Sequence, residues 1–413
     1  MTSRERIQAV LNHEMPDRLP IDFGAHRSSG MGAAGYNRLK KYLGHSTETT
    51  KLYDIMQQLA YPEAFMIDRF GGDIVQVMQL KPSFGVRCDR WKCGELPCGD
   101  LSMVPYEFHP VVNQDGDYEL RNEAGVCIAK RPKDGIYYDN MNYFLKDVDT
   151  LEELKEKMVL PVITEEELDF LEVQAKELYY NTDKALLLHV GCAVFEEGQQ
   201  EFGFENFYYN LAAEKEMIHY WADHMTDAYC VMLDRILDRV GKYIDVAMFG
   251  GDDLGTQQAA QISEEMYREM IKPYHKKIYQ FVRKKDPTVK VGLHCCGAIK
   301  KLLPDLIDAG VQVLNPIQIS AKGMDPKELK ERFGKDLVFW GGGADMQGFV
   351  NRTEDLQEIY RHVRELLDIF APEGNYIFAP VHNILDNVSP EKVVTIYQAA
   401  LDYRKEQEER ESV

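Results

Sequence analysis

Eight short apolar runs, most of them followed by a helical pattern, constrain this chain more than any other feature. They are Leu19–Phe23, Asp73–Val77, Leu186–Val190, Asp245–Phe249, Val289–His294, Val311–Asn315, Leu337–Trp340 and Tyr376–Ala379. Strands that alternate with helices pair in parallel, and eight such units close into a (β/α)8 barrel. The expected fold is α/β, a TIM barrel with N-terminal helical additions. A chain of 413 residues is long for one domain, but barrels with insertions reach this size, so a single barrel over 1–413 is expected. Thr2-Ser3-Arg4-Glu5 opens a capped first helix, and further helical patterns cover Tyr36–Leu43, Lys51–Phe70 and Ser263–Lys285. Residues 80–140 turn Gly-, Pro- and aromatic-rich, with alternating stretches such as Asp117–Arg121 and Val126–Arg131. They read as a β-hairpin insert within the barrel.

With 48 Lys+Arg against 68 Asp+Glu, the formal charge of −20 argues against nucleic acid and acidic membrane surfaces as partners. The N-terminus lacks an apolar signal core and no later run is long enough to span a bilayer, so a cytoplasmic protein is expected. Eight cysteines in such a chain read as reduced thiols or ligands rather than as a disulfide framework. Cys88, Cys93 and Cys98 have four residues between neighbours, which mismatches the pairs of a zinc knuckle. A homodimer is entertained, although no residue pattern names its face.

The chemistry-bearing residues gather where a barrel keeps its active site, at or just past the carboxyl ends of the strands. These are His189, Asp252, Asp253, His294, Cys296, Asn315 and His382. The run Val289–Gly297 ends in His294-Cys295-Cys296-Gly297, where alternate side chains at a strand end converge. His294 and Cys296 either hold one zinc ion or close a buried strand as polarisable core residues. Asp252 and Asp253 either ligate a metal, position substrate or act as a base, or they cap a turn. The loop Gly24–Gly35 carries His26 and Arg27 and is built to approach a ligand closely.

Four segments together resemble the uroporphyrinogen decarboxylase superfamily: RERIQAVLNHEMPDRLPIDF, DDLGTQQAAQISEEMYREMIKPYHKKI, LHCCGAIKKLLPDLIDAGVQVLNPIQ and FAPVHNILDNVSPEKV. That superfamily contains the decarboxylase and a set of zinc-dependent corrinoid methyltransferases. The decarboxylase branch would carry Arg-Gln-Ala-Gly-Arg after the first strand, where this chain reads Ala25-His26-Arg27-Ser28-Ser29-Gly30. One arginine is too few for a substrate with eight carboxylates approaching an acidic protein. The methyltransferase branch is similar at His-x-Cys, which makes His294 and Cys296 the implied zinc ligands. Its third ligand is a cysteine near the last strand; this chain offers His382 there, with an oxygen of Asp252 or Asp253 as the other candidate.

The resemblance thus implies zinc, and a corrinoid carried by a partner protein, since this chain has no Asp-x-His-x-x-Gly segment. The small methyl donor or acceptor would be a thiol, a methyl ether or amine, or folate. Asp252 and Asp253 are the expected catalytic carboxylates. His26, Arg27, His189 and Asn315 are the expected substrate contacts. The other readings are a metal-free lyase on a small carboxylate, with Asp252 or Asp253 and His382 moving protons, and a non-catalytic ligand-binding barrel.

Overall fold

The computed structural model of the protein describes residues 1–411. Seven parallel strands follow one another around a curved sheet in chain order: β1 (Ile74–Val77), β2 (Ala185–Gly191), β3 (Val246–Phe249), β4 (Lys290–His294), β5 (Val313–Asn315), β6 (Val338–Trp340) and β7 (Tyr376–Ile377). The expected eighth run, Leu19–Phe23, does close the ring, but through isolated bridges. Ile21 pairs in parallel with Phe378 and Asp22 with Ile74, which seats the segment between β7 and β1. Pro20 has no N–H to donate, so the pairing stays discontinuous there.

The strand pleat divides the core. Along β2, Ala185 and Leu187 point into the barrel beside Ile74, Val246, Met248, Val313, Val338 and Trp340. Leu186 and Leu188 point outward into the larger core shared with the helices. The first helix, Ser3–Leu11, adds Ile7, Val10 and Leu11 to the inner cluster and so plugs the barrel floor. Its start is fixed by a capping box between Thr2 and Glu5.

Two helical expectations are corrected. Lys51–Phe70 forms a hairpin, Lys51–Asp54 and Leu59–Tyr61, and only then a short helix, Ala64–Arg69. The free edge of that hairpin is taken by Leu101–Pro105, itself paired with Trp91–Glu95, so strands from the insert decide what residues 51–61 become. The span Ser263–Lys285 is interrupted by a π-helical turn over Tyr267–Ile271 before Lys272–Lys285 resumes as α-helix. The rest of the insert is a second four-stranded sheet built from segments between Val111 and Asn140. No helix among the described residues is long and apolar enough to cross a membrane.

Candidate functional site

Four imidazoles form a row across the C-terminal mouth of the barrel. His189 lies two residues before the end of β2, His294 ends β4, His382 follows β7, and His26 reaches in from the loop after the closing segment. Ring centroids are 5.5 Å apart for His189 and His26, 5.4 Å for His26 and His294, and 5.9 Å for His294 and His382. All four line a cavity of about 460 Å³ together with Arg27, Glu196 and Asp253. Gly250 makes the row possible, because a Cβ there would fall 1.7 Å from His189 Nε2.

Hydrogen bonds assign the proton on three of these rings. The Asn315 amide donates to the Trp340 carbonyl (3.4 Å), which leaves its Oδ1 to accept from His294 Nδ1 (2.9 Å) and from the Ser28 hydroxyl. His294 therefore turns its Nε2 toward Asp253, 3.7 Å away. In the same way Asn383 donates to Gln57 (3.1 Å) and accepts from His382 Nδ1 (2.8 Å), so His382 keeps its Nε2 lone pair. His26 is reversed. Its Nδ1 accepts from the Ser28 amide (3.3 Å), and its Nε2–H is buried with no partner among the described residues. His189 Nδ1 is likewise buried without a partner. Burial holds His26, His189 and His382 below the ordinary histidine range, so these rings are neutral at pH 7.

The two adjacent aspartates separate. Asp253 lines the cavity and accepts from the Cys296 amide (2.8 Å), with the Cys296 thiol also hydrogen-bonded to it. Asp252 is buried and fully engaged by the amides of Val194 and Glu196 (both 2.8 Å) and by His275 Nε2 (2.6 Å). It is not among the residues lining the cavity, and it ties the helix Phe195–Phe202 to the helix that follows the π turn. Asn315, expected to touch substrate, is buried off the cavity and instead orients His294. Arg27 does line the cavity, but its guanidinium is paired with Asp54 and donates to the Pro82 carbonyl.

Sequence reasoning missed Glu196 and Glu197, both of which face the cavity. Burial, then Asp253, pushes the Glu196 carboxyl well above its usual range, and burial with Asp252 lifts Glu197 to about 7. Their signal was positional: they open the helix directly after β2, a βα-loop site in any barrel. The aromatic residues around them masked it.

A family model for uroporphyrinogen decarboxylase (URO-D) matches residues 192–403, the half of the chain that carries Glu196, Asp253, His294, Cys296 and His382. The chain belongs to the uroporphyrinogen decarboxylase family. Among solved structures, a methyltransferase from Methanosarcina mazei is similar over 98% of this chain and 99% of its own, with a TM-score of 0.56 at 15% identity. That likeness is one of fold. A xylanase from Thermotoga maritima aligns over 60% of this chain and 80% of its own, with 14% identity and a TM-score of 0.34, too loose to bear on function. No curated protein sequence matches the chain.

Whether the zinc that the sequence resemblance implies would fit depends on donor type and direction. Two imidazoles on one tetrahedral zinc place their ring centroids roughly 5 Å apart, given Zn–N bonds of about 2 Å. The 5.9 Å between His294 and His382 is close to that spacing, and each ring has its Nδ1 held by an asparagine oxygen, the orienting contact a metal-binding histidine uses. Cys296 is set differently, since its thiol is hydrogen-bonded to Asp253 and raised above its ordinary pKa by burial and by that carboxylate. Among the described residues no three His, Cys, Asp or Glu side chains are yet drawn around one point. The donors fit zinc in kind, and Cys296 would have to turn from Asp253 to join them.

Proposed function

We propose that this barrel is a zinc-dependent methyltransferase that exchanges a methyl group between a small substrate and a corrinoid carried on a separate protein. The observation that carries the reading is His294, pinned through Nδ1 by Asn315 so that its Nε2 faces Asp253, the carboxylate that also accepts from the Cys296 amide. His294, Cys296 and His382 would hold the metal, with Asp253 beside them. Zinc in such a site supplies a Lewis acid that holds a substrate thiol as thiolate, or polarises a methyl ether or amine.

The chain's own groups do the rest. Glu196, kept protonated by burial and by Asp253, is placed to give or take the proton that accompanies methyl transfer. The unpartnered Nε2–H of His26 offers a donor to an electron-rich substrate atom. The neutral His382 ring offers its Nε2 lone pair to a metal.

Metal content tests the proposal. The purified protein should hold zinc near one per chain, lost in the His294→Ala, Cys296→Ser double variant, and should demethylate methylcobalamin in the presence of the right acceptor. No zinc in the parent, or unchanged zinc in the double variant, would remove the reading. The carboxyl pair Glu196 and Asp253 favours a second reading, a metal-free lyase acting on a small carboxylate. That reading expects turnover without any corrinoid.

A further inference from the structure

A second cavity, of about 290 Å³, lies on the far side of the segment that separates it from the mouth: Gln57 faces the mouth, while Gln58 faces this cavity. Three cations line it, Arg38, Arg131 and Lys133, and none of them has a carboxylate partner among the ion pairs of the described residues. Arg131 is the unusual one. Only 4% of it is exposed, its Nε is buried without a hydrogen-bond partner among the described residues, and its other contacts are the Gly135 carbonyl (2.8 Å), the Tyr138 side chain, to which it is hydrogen-bonded, and the ring of Tyr118. A buried guanidinium with no counter-charge is costly to a fold unless something supplies the charge.

The helix Ala33–Tyr42 begins at the same cavity. Gly32 provides no side-chain cap. The Ala33 amide goes to the Gln58 carbonyl (2.8 Å) and that of Gly35 to Asp386 Oδ1 (2.8 Å). The amide of Ala34, which lines the cavity, has no partner among the described residues. An open amide at a helix N-terminus, a forked donor and two further cations make an anion site. Two acids share the lining, but Asp386 is already held as the helix's cap, and the three cations outnumber Asp134 and Asp386.

We propose that this cavity binds an oxyanion group, the phosphate or carboxylate of a small ligand, between Arg131, Arg38, Lys133 and the first turn of the helix Ala33–Tyr42. The inference stands apart from the methyl-transfer reading and uses none of its residues. The experiment is calorimetric titration of the whole protein with inorganic phosphate and, separately, with acetate, at fixed ionic strength set by sodium chloride. The parent should bind one of the two anions at one per chain, and the identity of the binding anion names the class. The Arg38→Gln, Lys133→Ala double variant, altered only outside the buried position, should bind about tenfold or more weakly with unchanged circular dichroism. Arg131→Lys keeps the charge but loses the fork and should also weaken binding. Binding of neither anion, or equal binding in parent and double variant, overturns the proposal.

Discussion

The floor and the mouth of the barrel both bury ionisable groups, and they treat them in opposite ways. At the floor, Arg6 pairs with Asp73 (2.7 Å) and Asp17 (2.6 Å), Arg404 pairs with Asp73 from the other side, and Asp73 also accepts from the Ile21 amide (2.9 Å). Arg404 spends its remaining donors on the carbonyls of Leu19 and Gly71. Every oxygen of Asp73 is used. At the mouth, two histidine nitrogens lie buried with no partner among the described residues, and two glutamates are forced toward their neutral forms. A closed network holds three distant segments of chain together, whereas open valences in a buried cavity cost stability and leave atoms for a ligand.

The largest expected effect breaks the floor. Asp73→Ala would strand the buried Arg404 guanidinium and take from Arg6 one of its two carboxylate partners, and denaturant unfolding should register a loss of about 3–5 kcal/mol. Turnover per folded molecule should not change. A matching fall in turnover would show that floor and mouth are not separate in function.

Gly250→Ala probes the mouth without touching charge. The new Cβ would overlap His189 Nε2 and push the ring along the imidazole row, and a displacement of that order should lower turnover by about 100-fold. Unaltered kinetics would mean that His189 has no part in the chemistry.

The smallest effect sharpens the contrast through pH. Hydrogen bonds from Arg6 and the N-terminus outweigh burial and hold Asp17 down at about 2, against 3.8 unfolded. Its stabilisation is present above pH 3.8 and fades as pH falls toward 2. Glu197 runs the other way, raised by burial and Asp252 to about 7 from 4.5. Its folded form keeps a proton that the unfolded chain gives up, so stability is lost as pH rises from 4.5 to about 7 and is level above that. Glu197→Gln should therefore gain on the parent by about 2–3 kcal/mol between pH 5 and pH 8 in urea unfolding. A gap that does not change with pH would show Glu197 to be ionised in the folded state.

The sequence by itself determined the barrel and its working face. Apolar runs at strand length, separated by amphipathic helices, permit few other closures, and seven of the eight runs lie on regular strands. A histidine at the end of such a run has to reach the mouth, which made His189 and His294 legible. His26, His382 and Asp253 were legible for the same reason, as residues just beyond a strand end.

Tertiary structure decided what each of them does there. Whether Asp252 or Asp253 faces the cavity depends on a left-handed turn at Gly251 (φ 63°) and on His275, which is carried past the π turn from another helix. Asn315 became the partner of His294 because the register of β4 on β5 sets those two residues side by side. The hairpin at Lys51–Tyr61 exists because insert strands cover its edge, against a local pattern that suits a helix. Strand and helix periods are local properties of the chain, so sequence carries them. Register, loop direction and edge pairing are set by contacts between residues tens to hundreds of positions apart, and only the folded molecule brings those together.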